Sequence, residues 1–503
     1  MMRHRILAGA VAGLLALVAG CSSGGPAGPE PGPGPDPDEI VPGQVLARLA
    51  PGADVADVNA RHGTRTISAL ASQRVYLLEV PADADVDEVL PALRLDPAIS
   101  SASVNGRVSA PEAQGRSTMA FADPSLQPAD REDQDAIARI QAPEAWARSR
   151  GAGIVVAILD TGVDVGHPQL AGRIAPGAAD LVDDDADPSD RPDGIDSDGD
   201  GLVDEAVGHG TFIAGLVTTA APEARVLPIR ILDSDGVGTA VDIARGVELA
   251  IERGARVINM SLGMEIESEV LEEVIDEHAR DRGIVFVSSA GNAGVDRRQF
   301  PAGQGEVIGV AATTPADAKA DFSNWGSWVS VSAPGDGLVS LLPAAAMGRW
   351  SGTSFASALA SAEAAILIAF APFARSDEIR KAIEDSAVEL ADDRLGGAGR
   401  IDVAAALDLL VDRVGEGGDG GGGEVDFDAL VASVDVAGRT VTLAGGSVVS
   451  VSHDGVIDAS GDYRTLAEVA AAVALGRSVR AEGEGIAEGT GLRAVDVRFE
   501  DDD

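Results

Sequence analysis

The sequence predicts an α/β protein: one large parallel sheet covered by helices on both faces, preceded by a smaller α+β unit and followed by a small β-barrel-like unit. Three observations predict it. Between about residues 136 and 414, short unbroken apolar runs alternate with segments of helical period, the pattern of a parallel sheet buried on both sides. Residues 43–110 read strand, helix, strand, strand, helix, strand. Past a glycine-rich linker at 415–424, residues 425–503 read mainly as strands broken by glycine turns.

Composition sets outer bounds. A chain of 503 residues accommodates several domains. Apolar residues make up 45% but aromatics only 3%, so the core must be built mostly of Ala, Val, Leu and Ile. The formal charge of −43 argues against a nucleic-acid partner, which needs clustered Lys and Arg. Lys319 and Lys381 are the only lysines. Such a charge bears on solubility and habitat and says nothing about fold.

The N-terminus reads as a targeting segment, residues 1–20. Arg3 and Arg5 precede an apolar run from Ile6 to Gly20, too short and wrongly flanked for a stable membrane span. It ends in "LVAGC", which resembles a bacterial lipobox. That resemblance implies cleavage before Cys21, a diacylglycerol on its thiol and anchoring at the cell envelope, in a Gram-negative host at the outer membrane because Ser22 follows. Cys21 is the only cysteine, which excludes a disulfide framework, a thiolate nucleophile and a cysteine metal site in the rest of the chain. Residues 21–42 form a Pro/Gly tether with nothing to bury.

In the 43–110 unit, "QVLARLA", "TRTISAL", "RVYLLEV" and "ISSASVN" are the strands, and "ADVADVNARHG" and "DVDEVLPALRLDP" the helices. The order is ferredoxin-like. Residues 111–135 are polar, with little to hold them in one shape. In the large unit, 136–414, the strands are "GIVVAILD", "ARVLPIRIL", "ARVINMSLG" and "GIVFVSSAG". Between them, "AVDIARGVELAIERG" and "ESEVLEEVIDEHARDRG" have helical spacing and end in glycine. Ligands of such sheets sit at the carboxyl ends of the strands.

Four chemically able side chains fall at such ends. Asp160 is the first polar residue after "AILD" begins, His209 opens a helix in "GHGTFIAGLV", Asn292 follows a strand in "SSAGNAG", and Ser354 opens a long apolar helix in "SGTSFASALASAEAAILIAF". Acid, imidazole, amide and hydroxyl are the parts of an acyl-transfer site. Each alone reads as a turn or capping residue. Together, "DTGVD", "HGT", "SLG", "AGN" and "GTS" in this order resemble the subtilisin-like serine proteases, the subtilases, over about 280 residues, with "HPQL" and "FSNWGSWVSVSAPG" as lesser landmarks.

The resemblance implies a subtilisin-like parallel sheet, polypeptide substrates and the following roles. Ser354 is the nucleophile, His209 the general base and then acid, and Asp160 the group that orients it. Asn292 donates to the oxyanion, with the Ser354 backbone N–H. Ser261, Leu262 and Gly263 line one wall of a substrate cleft, with Gly291 nearby. Asp235–Gly238, Gly236 and Gly238 above all, form the other edge, where a peptide adds as a strand. The chain departs from the family at Phe212, usually His, and at Ala358, usually Pro. A G-x-S-x-G elbow is excluded by Ala356, and His62, His167 and His278 lack metal-ligand spacing.

Just before His209, "DSDGDGLVDE" carries five carboxylates between Asp196 and Glu205. Asp196, Asp198, Asp200 and Asp204 hold the alternating positions of a calcium loop, Gly201 its sharp turn and Leu202 its backbone carbonyl. Val207 stands where the bidentate Glu belongs, so Glu205 or Asp193 must substitute. The expected ligand is a structural Ca²⁺ that fixes the approach to His209.

By the same resemblance the 43–110 unit is a propeptide, folding chaperone and intramolecular inhibitor, whose last strand crosses the cleft, and 111–135 is the processing region. Two functions follow: a lipid-anchored, exported, self-processing serine endopeptidase, or a catalytically silent, calcium-stabilised adhesin or scaffold on the same fold. The intact quartet favours the first.

Overall fold

The computed structural model describes residues 39–113, 120–372, 374–415 and 424–501, the last stretch interrupted at 436–439, 444–447, 458–462, 464, 475–476 and 489–490. The expected targeting segment, Cys21 and most of the tether lie outside them, as do 114–119 and the glycine run 416–423.

The N-terminal unit comprises β1 (Ile40–Leu49), α1 (Val55–His62), β2 (Arg65–Leu70), β3 (Val75–Glu79), α2 (Val86–Arg94) and β4 (Ile99–Ser109). Asp54 and Asp85 cap the two helices through their carboxylates, and Gly63 ends α1 in the left-handed region. The strands pair antiparallel in the order β2-β3-β1-β4, the expected ferredoxin-like arrangement. One face carries Val45, Ala47, Leu78 and Val104, which form a core of their own with Leu93 of α2. The other packs on the large unit, where Leu46, Val75 and Leu77 join that unit's core.

From residue 120 on, the chain between the two units is folded, contrary to expectation, because it has specific partners. β5 (Phe121–Ala122) pairs with β15 (Ala346–Trp350). α3 (Pro128–Glu132) brings in Arg131, buried, which donates to the Gly215 carbonyl at 2.9 Å. The Gln134 side chain completes a strand edge, donating to Val339 O and accepting from Val339 N. Two short helices, α4 (Asp135–Arg139) and α5 (Ala142–Ala145), lead into the large unit.

There, β6 (Val155–Asp160), β7 (Ala179–Asp180), β8 (Arg225–Arg230), β10 (Val257–Met260), β11 (Val285–Ser289), β12 (Val307–Thr313) and β13 (Val331–Pro334) form a seven-stranded sheet in the order β13-β12-β11-β10-β6-β8-β7. The pairs are parallel. β6 is wholly buried, as a two-sided parallel strand must be. Helices α6 (His209–Ala220), α7 (Ala240–Glu252), α8 (Glu269–Arg282), α9 (Thr353–Phe370), α10 (Ser376–Ser386) and α11 (Val403–Gly415) supply the covering layers. α6 and α9 are apolar nearly all round because each is enclosed on all sides. β14 (Leu338–Leu342) forms a hairpin with β15 over α6, and Ser340 Oγ donates to Phe212 O. The strand order reverses at β6, which opens a crevice at its carboxyl end.

The C-terminal unit is a closed barrel of β16 (Glu424–Asp435), β17 (Thr440–Leu443), β18 (Val448–Ile457), β19 (Val479–Glu488) and β20 (Gly491–Asp501), with α12 (Leu466–Ala474) packed on its core through Leu466 and Val469.

Candidate active site

Asp160 ends β6 at the crevice. Its Oδ1 accepts from Thr161 N at 2.8 Å and from His209 Nδ1 at 2.7 Å. His209 is the first residue of α6, held there by tight packing: a Cβ on Gly210 would collide with the carbonyl of Gly162. Its ring lies against Trp350 and Phe355, with centroids 5.6 Å away in each case. Phe212, one turn on, packs on the same two rings, so the departure from the family's histidine serves this aromatic wall. Ala358 is buried in α9.

Ser354 sits in the first turn of α9, with its backbone N–H unused by the helix. Asn292 lies beyond β11, and its Oδ1 accepts from Thr353 N at 3.0 Å and Thr353 Oγ1 at 2.9 Å, which leaves its Nδ2 to donate to the same acceptor as the Ser354 N–H. Asp160, His209, Asn292 and Ser354, drawn from four elements, thus meet at one point.

That point is occupied by a side chain of the same protein. Glu112 Oε1 accepts from Asn292 Nδ2 at 2.9 Å and Ser354 N at 3.3 Å; its Oε2 accepts from Ser354 Oγ at 2.6 Å and His209 Nε2 at 2.9 Å. Glu112 and His209 are fully enclosed. Burial opposes the Glu112 charge, but the His209 ion pair and the bonds from Ser354 and Asn292 prevail and hold its pKa below the usual range. Burial likewise opposes protonation of His209, but Asp160 and Glu112 on its two nitrogens outweigh it and push its pKa up to about 10. Sequence reasoning passed over Glu112; "APEAQG" carries no signal of its place.

The cleft walls hold the strand that delivers Glu112. β4 extends across the large unit and pairs antiparallel with β9 (Val237–Thr239), Val108 opposite Gly238. On the other side Ser109 exchanges both backbone bonds with Gly263, at 2.9 and 3.0 Å, and Ala110 N donates to Gly236 O. Gly236, Gly238 and Gly263 therefore flank β4 in the cleft. A Cβ on Gly238 would press on the Ile231 carbonyl at 2.5 Å. Ser261 and Leu262 lie behind the wall. The Ser261 hydroxyl donates to Ser354 O at 3.1 Å and meets Ser357, while its carbonyl oxygen lies 3.4 Å from Ser354 Oγ; Leu262 O accepts from Ser288. Gly291 donates its N–H to Thr353 Oγ1, so it braces the α9 terminus.

In the acidic loop, ligand oxygens of Asp196, Asp198 and Asp235 come together, as do those of Asp198, Asp200 and Glu205. Glu205 is buried with neither carboxylate oxygen partnered, and burial with the nearby Asp charges raises its pKa to about 7. Orphaned carboxylate oxygens facing more carboxylates fit an oxygen-loving divalent cation. Two expectations are corrected. Asp204 is no member of this cluster: its Oδ1 accepts from Asp193 N and Gly194 N, tying off the loop's neck. Asp235 belongs to the loop rather than the cleft edge, accepting from Ser197 N and from Asp204 N at 2.6 Å. Leu202 N donates to Asp200 Oδ1 within the same turn.

A nucleophile, an imidazole, a carboxylate and oxyanion donors at the end of a parallel sheet, beside a cleft that pairs with an extended strand, define a serine endopeptidase. The family model described as "Subtilase family" matches residues 151–400, and that of the fervidolysin N-terminal prodomain matches 29–105. Thermitase of Thermoactinomyces vulgaris is 37% identical over 261 residues, 52% of this chain and 88% of that protein. Subtilisin Savinase of Lederbergia lenta is 32% identical over 54% of this chain and 97% of its own length. The crystal structure of fervidolysin from Fervidobacterium pennivorans, described as a keratinolytic enzyme related to subtilisin, superposes with a TM-score of 0.60 at 23% identity, covering 81% of this chain and 65% of that one. The chain belongs to the subtilase family and carries a fervidolysin-like N-terminal prodomain.

Proposed function

We propose that this protein is exported, lipid-anchored through Cys21 at the bacterial cell envelope, and made as a precursor that processes itself into a serine endopeptidase hydrolysing peptide bonds of polypeptides. The observation that carries the catalytic part is the convergence of His209, Ser354 and Asn292 on a single carboxylate, with Asp160 holding the other nitrogen of His209. In the reaction a scissile carbonyl replaces that carboxylate. Ser354 Oγ attacks the carbonyl carbon and His209 Nε2 takes the hydroxyl proton. Asp160 accepts from Nδ1–H, fixes the tautomer and stabilises the imidazolium. The oxyanion accepts from Asn292 Nδ2 and Ser354 N at the positive end of α9, a stabilisation present before the charge develops. His209 then passes the proton to the departing amine, and water repeats the sequence on the acyl-enzyme. Peptides add as a strand between Gly236–Gly238 and Gly263, as β4 does in the precursor.

The acidic loop holds a structural Ca²⁺ through Asp196, Asp198, Asp200, Asp235 and Glu205. The ion supplies charge balance to a loop that ends at α6, and no chemical step passes through it. The prodomain is the intramolecular inhibitor. It rests on α7 and α8, where the Asn105 side chain accepts from Val241 N and Ser103 meets the cap residue Ser268.

Expression of residues 22–503 with calcium, beside a Ser354→Ala version, tests the reading by chain mass and by degradation of an unfolded protein. Only the native chain is expected to shorten, within about residues 110–135, and then to degrade substrate. If both chains shorten alike, or if the native chain, once processed by an added protease, leaves the substrate intact, the catalytic reading falls.

A further inference from the structure

We propose that the Glu112 side chain is a built-in carboxylate ligand of the catalytic site, which occupies the place of a cleaved peptide's carboxylate and keeps the uncut chain silent. The proposal rests on the catalytic reading above and adds what the precursor binds there.

Four observations carry it. First, Glu112 uses both oxygens on every reacting group: one receives the two oxyanion donors, and the other receives the Ser354 hydroxyl and His209 Nε2. That is the arrangement of a product acid, whose two oxygens are the former carbonyl and the added water. Second, the backbone avoids the reacting position. β4 enters the cleft as a substrate strand through Ser109 and Ala110, but Ala113 N then donates to Ala110 O at 3.0 Å and closes a turn. Pro111 has no N–H with which to continue the pairing. Ala110 and Ala113 pack on Gly236, where a Cβ would stand 3.1 Å from each. Third, the fit is steric as well as polar: a Cβ on Gly352 would collide with Glu112 Oε1. Fourth, the contacts disarm the chemistry. Ser354 Oγ donates to Glu112, and His209, protonated on both nitrogens between two carboxylates, has no lone pair with which to take a proton.

A backbone strand alone would bury the cleft and still present a peptide bond to Ser354. Glu112 presents a carboxylate, which has no amine to expel and so cannot acylate Ser354. The ligand class of the site in the precursor is therefore a carboxylate carried on a side chain two residues beyond the last substrate-like backbone pair. Activation requires that this carboxylate leave before any peptide of residues 110–135 can enter.

The test uses the full chain and a fluorophosphonate probe, which modifies an active serine, read by intact mass on molecules not yet shortened. Wild type, Glu112→Gln and Glu112→Ala are compared with the processed wild-type enzyme. Because a buried charge-assisted network is removed, both variants are expected to label at least about tenfold faster than the wild-type precursor. Equal labelling of all three precursors, with a reactive processed enzyme, would overturn the proposal. A processed enzyme that does not label would overturn the Ser354 assignment instead. A second arm does not depend on folding of the variants. A synthetic peptide of residues 104–113 is added to the processed enzyme beside the same peptide carrying Glu112→Gln. The Glu peptide is expected to inhibit at least about tenfold more tightly, and equal inhibition by the two would equally sink the idea.

Discussion

His209 lies between Asp160 on Nδ1 and Glu112 on Nε2, with Asp190 as a third carboxylate behind Thr161, whose hydroxyl stands 3.3 Å from both Asp oxygens. The pH behaviour of the precursor follows from these groups. With Glu112 in place, His209 keeps its proton up to about pH 10. Without it, the proton is held less tightly, nearer the ordinary histidine value of about 6.5. The latched state therefore binds more protons, so the latch is fully favoured below the unlatched value and is lost as pH rises toward 10. The Glu112 carboxylate is depressed, so its contribution is present above the ordinary carboxylate range and lost only in acid. Serine labelling of the precursor should thus climb with pH between 7 and 10 by up to about tenfold per unit beyond the climb of the processed enzyme. Glu112→Gln should remove that excess. A parallel rise in precursor and processed enzyme would show that the His209 proton is not tied to the latch.

Helix α6 places His209, and its first turn is capped from a distance. Asp190 accepts from Gly208 N at 2.9 Å, Thr211 N at 3.2 Å and Thr211 Oγ1 at 2.7 Å. Burial, and less so the charge of Asp160, raises its pKa to about 7 despite these bonds. Asp190→Ala leaves those buried donors unmet and should cost about 1–3 kcal/mol of stability. It should lower kcat more than it raises KM, because it displaces the base rather than the cleft. Asp190→Asn keeps an acceptor and should be milder on both counts; melting curves and steady-state kinetics decide. Nothing in "DDDADPSDRPDGID" marks Asp190 for this role, because a carboxylate brought 18 residues along the chain to a helix end is a product of the fold. Elements whose cause is local were legible. Buried strands such as Val155–Asp160 are continuous apolar runs, and α7 and α8 carry their period and their stops in the sequence. β12 and β13 were not recognised as strands, since no helix separates them from each other or from β11 and the alternation that marks a parallel sheet lapses there. The quartet was legible because its motifs are short and ordered. Glu112 and Asp235 were not, because each owes its partners to chain that is distant in sequence.

Across the molecule, the acidic loop links the cleft to the stability of the whole fold. Its neck is tied by Asp204, it is held to Asp235, just before β9, and it ends at α6. Without a cation, Glu205 gives up its proton only as pH rises through about 7, because its charge inside a cluster of aspartates works against burial and against their charge. Its pKa in the fold is raised from 4.5 to about 7, so the neutral form stabilises the fold below pH 4.5, and that contribution is lost as pH rises through 7. The loss amounts to about 3.5 kcal/mol, at about 1.4 kcal/mol per pKa unit. Bound Ca²⁺ reverses the sign, because it needs the charged carboxylate and favours the fold more as pH rises. Melting temperatures in EGTA should therefore fall between pH 5 and 8, whereas in millimolar calcium they should hold. The gap should widen across that window to about 5–10 °C. Glu205→Gln should flatten the EGTA curve while weakening the response to calcium, and Asp235→Asn should weaken that response without flattening the curve. A gap that stays constant with pH would remove Glu205 from the ligand set, and the absence of any gap would remove the cation from the loop.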